Sequence, residues 1–458
     1  MYIEQIYTRC MAEASYYIES EGEVAIIDPM REAEPYLELA ERRNAKIKYV
    51  FETHFHADFI SGHLDIARKT DAKIVYGPTA KPNYECLVAK DNEEFSLGEV
   101  KIKVLHTPGH TLESSCFLLM DENGIPHSVF TGDTLFVDEV GRPDLACNAE
   151  LTKEALAGML YDSIYKKLKT LPDYVIVYPG HGPGSACGKN IGTELFSTIG
   201  KQKQFNYALK TKSKEEFVRE VTDGLADPPR YFYHDASINK NGYKPLEDII
   251  EKNNLPIELK EFLNKAEQGI QIIDTRNTED FCEGYIPGSI NIALSGNYAI
   301  WAGSLFEFNS PFLLVTDKNM EKESIVRLAR VGFENIIGYL DGGIEGYSKH
   351  YRMETIETID PNDYIKRKQN DSITIDVRNN EELNSGILQG AKVIPLLKLE
   401  SILDSLSRDM EYYIYCAGGY RSIIAASIMK KYGFNNVTSI NGGVKGIIAG
   451  KIKLTQFS

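Results

Sequence analysis

Two segments about 100 residues apart in the second half of the chain carry the same landmarks in the same order. Ile273-Asp274-Thr275-Arg276 returns as Ile375-Asp376-Val377-Arg378. Gly288 answers to Gly390, Val331-Gly332-Phe333-Glu334-Asn335 to Tyr432-Gly433-Phe434-Asn435-Asn436, and Asp341-Gly342-Gly343-Ile344 to Asn441-Gly442-Gly443-Val444. The period is too long for a solenoid repeat and suits two copies of a small domain. In the second copy the pattern predicts strands at 372–377 and 412–415 and helices at 397–406 and 422–432. Such alternation implies a parallel sheet with helices on both faces. The first ~250 residues read differently, as short β runs with few helices. These include 24–29, 47–52, 73–76, 100–106, 115–120, 128–131 and 174–178, with a helix at 34–43. The segment 223–243 reads as turn-rich and aromatic. Domains are therefore expected at 1–255, 256–354 and 355–458, in keeping with the 458-residue length.

Composition narrows the partners. A formal net charge of -15 argues against nucleic acid and anionic membranes. No run of ~18 apolar residues and no secretory leader is read, so a cytoplasmic protein is expected. The 7 cysteines include no Cys-x-x-Cys pair and form no disulfide framework. Cys10, Cys86, Cys116, Cys147 and Cys282 read as structural.

The predicted strand 47–52 runs into Thr53-His54-Phe55-His56-Ala57-Asp58-Phe59. His54, His56 and Asp58 alternate, so an extended segment projects them to one side. Thr107-Pro108-Gly109-His110-Thr111, Thr131-Gly132-Asp133 and Tyr178-Pro179-Gly180-His181-Gly182 each follow a further β run. Histidines and carboxylates in such turns suit a metal site, with glycine permitting close approach.

This ordered series resembles the metallo-β-lactamase superfamily over roughly residues 1–255. The resemblance implies an αββα sandwich with metal at the loop ends of its sheets. In hydrolytic members such as glyoxalase II the first motif continues Asp-His, and that histidine holds a second metal. Phe59 stands there in this chain. The subset most similar is the persulfide dioxygenase family, which implies one Fe(II) per chain held by His54, His110 and Asp133, with zinc expected on misincorporation. His56, Asp58 and His181 would then surround the centre without binding it. Two imidazoles and a carboxylate leave open positions, the arrangement of non-haem Fe(II) oxygenases. Gly141-Arg142-Pro143-Asp144 and the stretch Gly184 to Lys189 also resemble that family. Arg142, Tyr178 and Lys189 are thus candidates for the thiol carrier, with an Arg142–Asp144 ion pair as the competing reading. Cys187 is either a redox-active thiol near the iron or a small turn residue.

Tyr413-Ile414-Tyr415-Cys416-Ala417-Gly418-Gly419-Tyr420-Arg421-Ser422 is the second strong signal. A strand ends at Cys416, and a glycine loop leads into a helix. Loop N–H groups, a helix N-terminus and Arg421 would all favour a thiolate. The segment looks like the active loop of a rhodanese, with Cys416 carrying the sulfur and Gly418 and Gly419 cradling it. The first copy has Thr316-Asp317-Lys318-Asn319-Met320-Glu321 there, without a cysteine, and resembles an inactive rhodanese copy.

The whole order is similar to the fused persulfide dioxygenase–sulfurtransferases of bacterial sulfide detoxification. That resemblance implies oxidation of a glutathione, coenzyme A or cysteine-type persulfide by O2 to sulfite. Transfer of sulfane sulfur from Cys416 to sulfite would then give thiosulfate. A homo-oligomer is expected. The rival readings are a glyoxalase II-like thioester hydrolase and a sulfur carrier whose metal domain is silent.

Overall fold

The computed structural model describes residues 1–147, 150–369 and 371–457. It divides into two compact units, Met1–Ile249 with Ala329–Gly332, and Ile250–Leu328 with Phe333–Ser458.

The first unit is built on two six-stranded sheets. One contains β1 (Tyr2–Thr8), β2 (Glu13–Ser20), β3 (Glu23–Ile27), β4 (Lys46–Glu52), β5 (Lys73–Tyr76) and β6 (Leu87–Val88), in that spatial order. The other contains β7 (Glu94–Leu97), β8 (Val100–His106), β9 (Ser115–Met120), β10 (Pro126–Gly132), β11 (Ile176–Pro179) and β12 (Ser197–Thr198). Side-chain alternation sorts each strand between two cores. Tyr16, Ile18, Phe51 and Val75 of one sheet meet Ile102, Val104, Phe117 and Phe130 of the other in the central layer. Tyr17, Ile26 and Val50 face outward onto helix Glu34–Arg42 through Tyr36, Leu39 and Ala40. Leu105, Leu118 and Val129 face outward onto helix Lys153–Lys166 through Ala157, Leu160 and Ile164. The order helix, sheet, sheet, helix is the αββα sandwich.

The second unit holds two five-stranded sheets of equal topology. The first is β13 (Pro256–Ile257), β14 (Gln271–Asp274), β15 (Ile290–Asn291), β16 (Phe312–Val315) and β17 (Ile336–Leu340), ordered β13-β17-β16-β14-β15. The second is β18 (Glu357–Ile359), β19 (Ile373–Asp376), β20 (Lys392–Val393), β21 (Tyr412–Tyr415) and β22 (Val437–Ile440), ordered β18-β22-β21-β19-β20. All their pairings are parallel. Buried runs such as Phe312–Val315 and Tyr412–Tyr415 fit strands covered on both faces.

The repeated Asp-x-Arg has a structural cause. Arg276 Nη2 bonds Asp274 Oδ2 at 2.6 Å and the Gly284 carbonyl at 2.9 Å. Arg378 Nη2 bonds Asp376 Oδ2 at 2.6 Å and the Gly386 carbonyl at 2.8 Å. Each pair is buried at the end of β14 or β19, next to the central strand, and ties the turn that follows.

Two expectations shift. Segment 223–243, read as turns, contains helix Phe232–Asn241, begun by the Phe232 N–H donating to the Pro229 carbonyl. The helix after Cys416 starts at Tyr420 rather than Ser422, because Gly419 adopts φ +105° and closes the loop early. Among the described residues no helix is long and apolar enough to cross a membrane.

Asp376→Ala strands the Arg378 guanidinium in the interior, which should cost about 3–5 kcal/mol. The chain's single tryptophan, Trp301, lies in this unit, so urea unfolding followed by its fluorescence reads the loss. A midpoint equal to wild type would contradict the structural role.

Candidate metal centre and sulfur-transfer loop

The metal candidates lie where strands of both sheets of the sandwich end. Asp28, just past β3, accepts from the Thr53 N–H at 2.7 Å and the Thr53 hydroxyl at 2.8 Å, which fixes the turn after β4. Thr53 Oγ1 lies 3.0 Å from His54 Nδ1, leaving His54 Nε2 to face inward. His110 Nδ1 donates to the Arg142 carbonyl at 2.9 Å, leaving its Nε2 3.5 Å from Asp133 Oδ2. His54 Nε2 is 4.0 Å from the same oxygen. Asp133 follows β10, and a Cβ on Gly180 would stand 2.8 Å from its Oδ1. Glycine there is what lets β11 approach the carboxylate.

His54, His110 and Asp133 present donor atoms all within 4.8 Å of one another, and all three are buried. Among the described residues, His54 Nε2 and both Asp133 oxygens have no hydrogen-bond partner. Burial and the neighbouring rings of His56, His110 and His181 hold the His54 pKa well below the ordinary imidazole value, so it stays neutral and able to ligate. Orphaned donors converging in the interior fit a divalent cation, with each Nδ1 occupied so that Nε2 points to the ion.

The surrounding residues divide into two groups. His56 Nε2 lies 3.0 Å from Asp28 Oδ1 and 3.7 Å from Glu52 Oε2. Burial alone would push its pKa down, but Asp28, Glu52 and Asp58 outweigh that and raise it to about 9. The ring of Phe59 packs 4.3 Å from that of His56. Asp58, His181 and Cys187 form the second group. His181 Nε2 is 3.2 Å from Asp58 Oδ2 and 3.5 Å from Asp133 Oδ1. Sequence reading missed Asp28 and Glu52, because their role depends on a carboxylate from one strand end meeting an imidazole from the next.

Three residues expected at the carrier site are engaged elsewhere. Arg142 is paired with Asp144 through two 2.7 Å bonds and also donates to the carbonyls of Ala186 and Ala226, so its donors brace loops. Lys189 donates to the carbonyls of Glu220 and Asp223. Tyr178 stacks on Phe130 at 5.2 Å as part of the central core. Cys187 does come beside the centre. Burial, together with Asp58 and Asp133, holds its thiol well above the ordinary pKa, the setting of a protonated rather than a reactive sulfur. The cavity beside His110, about 640 Å³, is lined instead by Phe55, Thr111, Lys81, Lys240, Tyr233 and others. Most of these lie on helix Phe232–Asn241 and on loops that carry no motif.

In the second unit, Cys416 stands at the end of β21. The Gly419 N–H donates to its Sγ at 3.1 Å, and helix Tyr420–Lys431 begins immediately after. The Cys416 carbonyl accepts from the Val444 N–H at 2.8 Å, and a Cβ on Gly443 would collide with that oxygen. Arg421 departs from expectation: both its terminal nitrogens bond Glu382 at 2.6 Å, so its charge is shared with a carboxylate rather than spent on the sulfur alone. In the first copy, Asp274 pairs with Val315 as Asp376 pairs with Tyr415. Thr316 therefore occupies the place of Cys416, so that copy has no cysteine at this position.

The metallo-β-lactamase superfamily model matches residues 8–181. A metallo-β-lactamase structure from Staphylococcus aureus subsp. aureus COL is 31% identical, covers 74% of this chain and 98% of its own, and superposes with a TM-score of 0.66. The chain belongs to the metallo-β-lactamase superfamily. The rhodanese-like domain model matches it twice more, at 256–350 and 360–449. A hydroxyacylglutathione hydrolase of Pelagibacter ubique (strain HTCC1062) is 31% identical over 179 residues, 38% of this chain and 68% of that protein. A probable hydroxyacylglutathione hydrolase of Schizosaccharomyces pombe is 28% identical over 220 residues, 43% of this chain and 81% of its own length. Others of that name are matched over as little as 57% of theirs.

Asp133→Ala should abolish stoichiometric metal binding, whereas Cys187→Ser should retain it. Elemental analysis of the purified proteins decides, and equal metal content in the Asp133 variant and wild type would refute the assignment.

Proposed function

We propose that this superfamily member is an Fe(II)-dependent persulfide dioxygenase joined to a sulfurtransferase. The observation that carries the reading is the compact His54–His110–Asp133 cluster, with Phe59 where hydrolytic relatives place a second-metal histidine. Two imidazoles and one carboxylate leave adjacent positions open, which suits oxygen chemistry at a single ion.

Iron bound there would supply the electrons that make dioxygen reactive towards sulfur. The chain's own residues do the rest. Thr53 and the Arg142 carbonyl fix the two imidazoles. Lys81 and Lys240, against the single carboxylate of Glu113, line the cavity with an excess of positive charge suited to an anionic thiol carrier of the glutathione, coenzyme A or cysteine type. The reaction balances as R–S–S⁻ + O2 + H2O → R–SH + HSO3⁻. In the second unit, Cys416 as a persulfide would yield its outer sulfur to sulfite, giving thiosulfate and the free thiolate. The Gly419 N–H and the helix N-terminus favour that anion before and after transfer. Fusion in one chain raises the effective concentration of one product near its next use.

Similarity to hydroxyacylglutathione hydrolases favours a second reading, thioester hydrolysis, and Asp58 and His181 stand beside the cluster as such a reaction would use them.

The two readings part on oxygen. The Fe(II)-loaded chain should consume O2 in step with persulfide and form sulfite, and Cys416→Ser should still form sulfite but no thiosulfate. Cleavage of S-lactoylglutathione under strict anaerobiosis, with no oxygen uptake on persulfide, would establish the hydrolase instead.

A further inference from the structure

The first rhodanese copy keeps its buried Asp274–Arg276 pair and its full sheet, yet carries threonine at the nucleophile position. Its contacts with the active copy indicate what it does. Cys416 is followed by Ala417-Gly418-Gly419, and two successive glycines leave a loop with little conformational preference of its own. The next residue, Tyr420, donates its hydroxyl to the Ala293 carbonyl of the first copy at 2.8 Å. Its ring fills the space over Gly296, where an added Cβ would overlap the ring carbons, while Gly296 itself has no left-handed backbone. Gly296 is therefore required by the ring and not by its own conformation. One residue on, the Arg421 guanidinium lies 5.9 Å from the centre of the Trp301 ring, also of the first copy. Further along the same helix, the Ser427 hydroxyl accepts from the Asn291 N–H at 3.3 Å.

We propose that the first copy is a clamp for the sulfur-transfer loop of the second. Tyr420 is the positioning residue: seated in the Ala293–Gly296 notch, it fixes the peptide that follows Gly419 and so holds the Gly419 N–H on Cys416 Sγ. The clamp rests on the sulfur-transfer reading for its purpose, but its geometry can be tested without it.

The test uses the full chain and the variants Gly296→Ala, Tyr420→Ala and their double. Thiosulfate is the sulfur donor: the Cys416 thiolate attacks its outer sulfur, the S–S bond breaks, and sulfite leaves with the electron pair. Iodoacetamide alkylation of Cys416 is followed across pH by peptide mass spectrometry. Gly296→Ala should lower the sulfur-loading kcat by about tenfold with little change in KM, because it misplaces a donor to the sulfur and leaves thiosulfate binding intact. It should also move the alkylation profile to higher pH and alter the emission of Trp301. Unfolding midpoints near wild type keep the comparison between folded proteins. In the Tyr420→Ala background, Gly296→Ala should add nothing, since the ring it displaces is gone. Wild-type rate and alkylation profile in Gly296→Ala, or additive losses in the double variant, would overturn the clamp. If wild-type Cys416 takes no sulfur, the sulfurtransferase reading fails, and the alkylation profiles alone still decide the clamp.

Discussion

A buried carboxylate whose oxygens lack hydrogen-bond donors is costly, and a cation between it and neighbouring imidazoles removes that cost. Asp133 is such a group, and the architecture of the first unit is arranged around it. β10 delivers it, Gly180 makes room for it, and His54 and His110 are each held at Nδ1 so that a bare nitrogen faces it. The carboxylates of Asp28 and Glu52 lie beside His56, at 3.0 and 3.7 Å from its Nε2. The buried polar residues thus fall into neighbouring groups, Asp28 with Glu52 and His56 in one and His54 with His110 and Asp133 in another.

The second unit shows the same fold put to two uses. Both copies retain the Asp-x-Arg pair, because that pair secures the turn after β14 or β19 whatever the domain does. They differ just past the neighbouring strand, at Thr316 and Cys416. One has Cys416 and a glycine loop with an N–H on sulfur. The other has Thr316 and acidic neighbours, and offers a notch for Tyr420.

The candidate ligands and Cys416 were legible because they sit in short motifs at strand ends, and the fold brings His54, His110 and Asp133 together. His54, His110, Asp133 and Cys416 all stand where the spacing of β runs and glycines put them. The lining of the cavity beside His110 was not legible. Arg142 and Lys189 have the right charge for a carrier, but their donors are taken by Asp144 and by loop carbonyls distant in sequence. Lys81, Tyr233 and Lys240 line the cavity while belonging to no motif. Arg421 reads as a free charge beside the sulfur, yet Glu382, 39 positions away, pairs with it.

Strand and helix periodicity, the repeat and the glycine-bound motifs are local properties, so the αββα sandwich, the parallel sheets and the donor atoms could be read from the chain alone. Whether a given charge is spent or free is set by partners that only folding brings within hydrogen-bond distance. That is why the carboxylate neighbours of His56, the pairing of Arg142 and Arg421 and the seating of Tyr420 were decided by tertiary structure.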